Sequence, residues 1–285
     1  AGYLDPARIV NLAVETGCDA IHPGYGFLSE NANFARLCEQ KGVAFIGPKS
    51  SVIHGMGDKT QARDSMRAAG IPITPGSEGN LDSLDEALEL ANDIGYPVML
   101  KATSGGGGRG IRRCDTPQEL KVQYPRVISE ATKAFGSAEV FMEKCIVNPR
   151  HIEVQILADS QGNAIHLFER DCSIQRRNQK LIEIAPSPQL TPEQRQYIGD
   201  LAVRAAKAVG YENAGTVEFL LSGNEVHFME MNTRVQVEHT ITEAITGVDI
   251  VREQLRIASG LPLSYRQEDI QYRGYALQFR INAED

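Results

Sequence analysis

Several features that would assign this sequence at once to a broad functional class are missing. Its 285 residues carry a net charge of −8, so they lack the positive charge that a broad nucleic-acid-binding surface needs. No apolar run approaches membrane-spanning length, and no secretory signal opens the chain. The five cysteines are odd in number and form no C-x-x-C pair, which indicates reduced thiols and disfavours a zinc site. We therefore expect a cytoplasmic protein that binds neither nucleic acid nor membrane.

The order of the predicted elements indicates a protein of mixed α/β and α+β class. Helix and strand patterns alternate at the start, whereas strands separated by turns dominate the middle. We expect an α/β segment over 1–57 and an α+β body over 58–265, with a lid subdomain at about 74–145. A strand at Ala276–Asn282 would begin a further domain over 266–285. Because the chain lacks an initial Met and stops just after that strand, we expect both ends to be internal positions of a longer protein.

Three predicted helices have recognisable N-termini. Asp5 precedes a proline that suits the first helical position, which favours a helix ending near Gly17. Ser83 and Thr191 are each followed three residues later by Glu or Gln, the pattern of a capping box.

The segment 101–110 joins a lysine to a glycine-rich loop that contains Gly105, Gly106, Gly107 and Gly108. Such a backbone approaches a ligand closely and turns its N–H groups towards phosphate oxygens, which Lys101 can also reach. The residues after the loop have a strand pattern rather than a helix pattern, which excludes a dinucleotide-binding fingerprint, and there is no G-K-[ST]. We predict a strand–loop–strand lid over ATP rather than a flexible surface loop, with Lys59 as a second phosphate ligand.

Two glutamates face each other in a predicted hairpin that turns at 222–224. Glu218 lies opposite Glu230, and close carboxylates repel unless a cation lies between them. Mg²⁺ takes one or two carboxylates together with substrate phosphates, so we predict a site for Mg²⁺ (or Mn²⁺) at Glu218, Glu230 and Asn232. The six histidines show no ligand spacing.

The segment that follows this hairpin carries polar residues at every second position. If Met229–His239 is extended, one face presents Glu230, Asn232, Arg234, Gln236 and Glu238. The alternative is an exposed edge strand. A further cluster, Glu169–Lys180, contains three arginines and a lysine, and we interpret it as an inward-facing anion site rather than a solvated turn.

These motifs, together with His22–Asn31, resemble the biotin carboxylase component of biotin-dependent carboxylases, members of the ATP-grasp superfamily. The resemblance extends over essentially the whole chain. It implies an ATP-grasp fold with a mobile glycine-rich lid, preceded by part of a Rossmann-like domain. Asn178, Glu183–Pro188 and Thr240–Glu243 are more similar to the ATP-dependent subunit of two-subunit pyruvate carboxylases, although many relatives have His where this chain has Asn178.

The resemblance also implies a role for each site residue. ATP would be bound by Lys59, Lys101, the four glycines, Glu143, Lys144, Ile146, His151 and Gln175. Bicarbonate would be bound by Lys180, Arg234, Gln236 and the backbone of Val237. Glu238 would be the general base and Arg280 would stabilise the biotin enolate, so that Lys180, Arg234, Glu238 and Arg280 form the catalytic set.

The implied reaction is ATP-dependent carboxylation of biotin, which leads us to expect a biotin carboxyl carrier protein, a carboxyltransferase subunit and a homodimer. Two alternatives stay open. Another ATP-grasp ligase would share the lid and the metal pair but not the ordered Arg234, Gln236 and Glu238. The chain on its own could also be a non-catalytic nucleotide-binding module.

Overall fold

The computed structural model describes residues 2–103 and 110–283. The predicted ATP-binding glycines Gly105, Gly106, Gly107 and Gly108 lie outside the described residues.

The N-terminal segment alternates helices with short strands, as predicted. A 3-10 turn, Gly2–Leu4, precedes α1 (Pro6–Glu15), β1 (Ala20–Ile21), α2 (Ala32–Lys41), β2 (Ala44–Phe45) and α3 (Ser50–Gly57). The Asp5 carboxylate accepts from the N–H of Arg8, which confirms Asp5 as the N-cap of α1. β1 and β2 are parallel, and Val10, Phe34 and Cys38 form a small core beside them.

A three-stranded antiparallel sheet follows, covered by two helices. α4 (Lys59–Ala68) and α5 (Leu84–Ile94) lead to β3 (Val98–Ala102) and β4 (Ile111–Cys114), then α6 (Pro117–Phe135) and β5 (Val140–Lys144). β3 is central, with β4 on one side and β5 on the other. Ser83 caps α5 by accepting from the N–H of Glu86. Because β4 is a strand that pairs with β3, the strand–loop–strand prediction is confirmed for the residues on either side of the loop.

The body is built on a six-stranded antiparallel sheet. Its elements are β6 (Arg150–Ala158), β7 (Ala164–Arg176), β8 (Gln179–Ala185), α7 (Pro192–Ala208), β9 (Asn213–Ser222), β10 (Glu225–Asn232), α8 (His239–Thr246), α9 (Ile250–Ala258), a 3-10 turn at Gln267–Asp269, and β11 (Ala276–Phe279). The strand order is β10-β9-β6-β7-β8-β11. α7, which begins with the predicted capping box of Thr191 and Gln194, covers one face. Ile152, Val154 and Ile156 of β6 are buried in the core beneath this helix.

Two expectations about strands need correction. The predicted extended run Met229–His239 is wrong beyond Asn232, where β10 ends; a loop follows, and α8 begins at His239. A register shift between Phe228 and Glu230 also breaks the simple alternation. The predicted strand at Ala276–Asn282 forms only over Ala276–Phe279, and it pairs with β8 as an outer strand of the body's own sheet. Within the described residues, the helices include none that is long and apolar enough to cross a membrane.

Candidate active site

A row of four charged residues crosses the middle of the large sheet in register. Arg170 of β7 pairs with Glu153 of β6, Glu153 with Glu218 of β9, and Glu218 with Glu230 of β10. Arg170, Glu153 and Glu218 are buried, and Glu230 is partly buried. Because adjacent carboxylates repel, this row requires cations from outside it as well as Arg170.

Lys180 supplies one such cation. It returns on β8 after a two-residue turn and places its Nζ against the carboxylate of Glu153, 2.9 Å from Glu218 Oε1 and 2.9 Å from Glu238 Oε1. Burial by itself would lower the pKa of Lys180, but Glu153, Glu218 and Glu238 outweigh that effect and hold it above its ordinary value. Lys180 is therefore a firmly charged ammonium at the centre of three carboxylates.

Glu238 lies between two cations. Its Oε1 accepts from Lys180, and its Oε2 accepts from Arg280 Nη2 at 2.9 Å. Arg280 is oriented by Glu183, whose Oε1 accepts from Arg280 Nε at 2.8 Å, and by its own N–H, which donates to the carbonyl of Leu181. The structure thus brings together Lys180, Glu238 and Arg280, three of the four predicted catalytic residues.

The fourth, Arg234, is held from the N-terminal segment. Glu30 accepts from Arg234 Nε at 2.8 Å through one oxygen and from the N–H of Thr233 at 3.1 Å through the other. Arg234 Nη2 also donates to Asn232 Oδ1 at 3.0 Å. Val237, whose backbone is predicted to bind bicarbonate, lies in the loop between Asn232 and α8.

The predicted nucleotide-binding residues divide into two groups. Lys101 and the buried Arg63 both bind the carboxylate of Glu143, and the pKa of Lys59 is lowered by burial while Glu230 and Lys101 act on it electrostatically. Lys59, Lys101 and Glu143 therefore lie close together beside Glu230, one of the predicted metal ligands. Lys144 is different, since its Nζ donates to the carbonyl oxygens of Gly95 and Tyr96 at 2.8 and 3.1 Å.

Three further predicted ATP ligands, Ile146, His151 and Gln175, follow β5 or lie on β6 and β7. Ile146 follows β5 and is partly buried. His151 lies beside Glu218, and its Nδ1 is 2.9 Å from Gln175 Nε2.

The oxygen-rich pair Glu218 and Glu230 fits a hard divalent cation. Burial raises the pKa of Glu230, and the Glu218 charge raises it further, so that these effects outweigh the opposite influence of Lys59 and His151. Asn232 donates to Glu218 Oε1 at 2.8 Å. These three residues would hold Mg²⁺.

In the described part of the chain, His151 also lies close to Glu153 and Glu218. The ligand atoms of these three side chains are within 4.8 Å of one another, close enough to hold a metal ion. The spacing of the histidines gave no hint of this group. The Nε2 atom of His151 is 2.7 Å from Glu218 Oε2. Burial lowers the pKa of His151, but Glu218 outweighs that effect and raises it. His151 is therefore closely coupled to Glu218 as a hydrogen-bonding partner.

The predicted inward-facing anion site over Glu169–Lys180 is only partly present. Arg170 and Lys180 turn inward, whereas Arg176 and Arg177 are exposed. The reason is the tight turn at Arg177 and Asn178, both with positive φ, which places the tip of the β7–β8 hairpin in solvent.

Sequence reasoning missed Glu153, Glu30, Arg63 and Gln155 as site residues. A signal existed in β6, where His151, Glu153 and Gln155 occupy every second position between Ile152, Val154 and Ile156. Alternating apolar and polar residues predict a strand with one face exposed to solvent. In the structure both faces of β6 are buried.

A large antiparallel sheet carrying buried carboxylates, together with a small antiparallel sheet whose central strand β3 carries Lys101, defines an ATP-grasp protein. Residues 58–266 match the family model of the carbamoyl-phosphate synthase L chain ATP-binding domain. Residues 1–53 match that of the biotin carboxylase N-terminal domain. The chain belongs to the biotin carboxylase family.

The relatives of this chain are longer proteins. It is 60% identical to the 2-oxoglutarate carboxylase small subunit of Hydrogenobacter thermophilus and 56% identical to biotin carboxylase 1 of Bacillus subtilis, over 99% of its own length. It spans 60% and 63% of those proteins. The biotin carboxylase domain dimer of the Hydrogenobacter enzyme, in complex with MgADP, ADP and bicarbonate, superposes with a TM-score of 0.96 and 59% identity, covering 99% of this chain and 63% of that one.

Proposed function

We propose that the protein containing this chain carboxylates biotin at N1′, using ATP and bicarbonate, through carboxyphosphate. The observation that carries the proposal is the position of Glu238 between Lys180 and Arg280, next to the carboxylate row. A base flanked by two cations suits a small anion that must lose a proton. The relative that superposes on this chain was solved with MgADP and bicarbonate, which supports the same ligands here.

The residues have distinct roles in the first half-reaction. Lys180, Arg234 and Gln236, with the backbone of Val237, bind bicarbonate, and Glu238 removes its proton so that it attacks the γ-phosphate of ATP. Lys59 and Lys101 neutralise phosphate charge, and Glu143, Lys144, Ile146, His151 and Gln175 are proposed to hold the rest of the nucleotide. Mg²⁺, held by Glu218, Glu230 and Asn232, supplies further neutralisation of the phosphates when bound.

The second half-reaction uses Arg280, which contacts Oε2 of Glu238, whereas Lys180 contacts Oε1. Carboxyphosphate breaks down to CO₂ and phosphate, phosphate takes the N1′ proton of biotin, and N1′ captures CO₂. Arg280 directly follows β11, the edge strand that pairs with β8. It stabilises the enolate because Glu183 and Glu238 hold its guanidinium in place.

The replacement Glu238→Gln tests the proposed base. The amide keeps the shape but cannot take a proton, so bicarbonate-dependent ATP hydrolysis by the full-length protein should fall by about 10²–10⁴-fold. ATP binding, measured by calorimetry, should be nearly unchanged. The matched control is Glu225→Gln, because Glu225 lies exposed on β10 and should leave both measurements unaffected. Full bicarbonate-dependent hydrolysis by Glu238→Gln would show that the base is wrongly assigned.

The activator of ATP hydrolysis separates this function from that of another ATP-grasp ligase. Free biotin should stimulate bicarbonate-dependent ADP release by the full-length protein. Stimulation by an amino acid or another carboxylate, without biotin, would favour the rival ligase.

We further propose that the division 1–57, 58–265 and 266–285 describes the domains of this region, with β11 of the last piece added to the sheet of the body, and that the protein works in the cytoplasm as a homodimer. Its partners would be a biotin carrier and a carboxyltransferase. Pyruvate stays our predicted carboxyl acceptor, although the relative at 60% identity is named for 2-oxoglutarate. The polypeptide that co-purifies with the full-length protein tests this, because the acceptor is chosen by its carboxyltransferase.

A further inference from the structure

Arg170 is the largest side chain that is fully buried in the described part of the chain, and none of the proposed steps uses it. Each of its five N–H groups has its own acceptor on a different side chain. Nε donates to Glu153, Nη1 to Gln155 (2.8 Å) and Thr242 (2.9 Å), and Nη2 to Thr216 (3.3 Å) and Gln236 (2.8 Å). These acceptors lie on β6, β9, α8 and the loop before α8, so one guanidinium joins four parts of the site.

The contact with Gln236 determines which way its amide faces. A guanidinium has no acceptor atom, so the Gln236 atom against Arg170 must be the carbonyl oxygen. On the other side, Gln236 Nε2 is 3.0 Å from Glu218 Oε1, and an ionised carboxylate only accepts. Both neighbours therefore impose the same orientation, with the oxygen towards Arg170 and the NH₂ group towards Glu218 Oε1, which also accepts from Lys180.

The burial of this unit makes the orientation costly to change. Gln236 is 3% exposed and Glu218 is 3% exposed, so a reversed amide would place two acceptors against each other away from water. Glu153 balances the charge of Arg170 and holds its guanidinium through the Nε atom.

We propose that Arg170 is a positioning residue for the bicarbonate half-reaction, which acts by orienting the Gln236 amide so that its NH₂ group faces the anion. The proposal rests on the proposed function. Within the described residues, the five N–H groups of Arg170 donate to Gln236 and to four neighbours that are not predicted ATP ligands, and Glu238 acts on it through its charge, so its effect should appear in bicarbonate binding and not in ATP binding.

The replacement Arg170→Lys tests this, because lysine keeps the charge but cannot reach Glu153 and Gln236 together. In the full-length protein, the KM for bicarbonate in ATP hydrolysis should rise about tenfold or more, while the KM for ATP should change by less than about twofold. The matched control is Arg195→Lys, which alters another largely buried arginine, paired with Glu169 away from the site. It should leave the bicarbonate KM unchanged.

A double-mutant cycle with Gln236→Ala separates positioning from a structural role. In the Gln236→Ala background, Arg170→Lys should change the bicarbonate KM by no more than about threefold. This smaller effect would arise because Arg170 also contacts Glu153, which binds Lys180. Multiplicative effects on the bicarbonate KM, or equal effects on the KM values for ATP and bicarbonate, would overturn the proposal.

If Arg170→Lys fails to fold, the double replacement Thr216→Val with Thr242→Val loosens the guanidinium while keeping it. The bicarbonate KM should then rise about threefold, and an unchanged KM would overturn the proposal. Wild-type protein whose ATP hydrolysis does not depend on bicarbonate would instead refute the proposed function.

Discussion

Glu230 is a residue whose charge the protein holds at a cost to its own stability. Burial and the neighbouring Glu218 raise its pKa above the ordinary value of 4.5. An acid whose pKa is raised on folding contributes stability below its unfolded pKa and loses that contribution as pH rises through the folded value. At neutral pH without a metal ion, ionised Glu230 therefore opposes folding.

The replacement Glu230→Gln should consequently stabilise the metal-free protein while it weakens the proposed Mg²⁺ site. We expect a gain of about 0.5–2 kcal/mol at pH 7, typical of relieving an active-site conflict. Urea unfolding in chelator at several pH values measures it, and the gain should shrink as pH falls towards 4.5, because a larger fraction of wild-type Glu230 is then protonated. A gain that is constant with pH would mean that charge is not its cause.

At the scale of elements, the position of α7 depends on a glycine. A Cβ at Gly199 would lie 2.6 Å from His166 Nε2 on β7, closer than real contacts allow, and His166 is 3% exposed. Gly199→Ala should therefore destabilise the protein by about 1–3 kcal/mol through overpacking. Gly57→Ala in α3 is the matched control, because a Cβ there meets nothing within 4 Å and should stabilise the helix by about 0.5–1 kcal/mol. Urea unfolding measures both; equal effects would rule out the steric explanation.

The elements also show how far sequence reasoning reaches. The capping residues Asp5, Ser83 and Thr191 and the hairpin that pairs Glu218 with Glu230 were predictable, because each depends on neighbours in sequence. The loop after Asn232 was not, since tertiary contacts such as Glu30 with Arg234 determine its path over an apparent strand pattern. Arg170 was visible as part of a basic cluster, but its burial depends on acceptors brought from four distant segments.

At the scale of the whole molecule, the buried carboxylates Glu153 and Glu218 lie on inner strands of the large sheet. β6 and β9 are each paired on both sides, whereas β11 lies at the edge with Leu277 and Phe279 exposed. Amide hydrogen exchange followed by mass spectrometry should therefore be slowest in β6 and β9, and at least about 100-fold faster in β11. Comparable exchange in the central and outer strands would contradict this distribution of local stability.

The strand order has a consequence for how the protein is made. β6, β7 and β8 are consecutive in sequence and adjacent in space, while β9 and β11, which flank them, are synthesised later. Lys180 and Arg170 can therefore pair with Glu153 in this local meander before β9 emerges from the ribosome. Glu153 then already has two cationic partners when β9 brings the second buried carboxylate, Glu218, beside it.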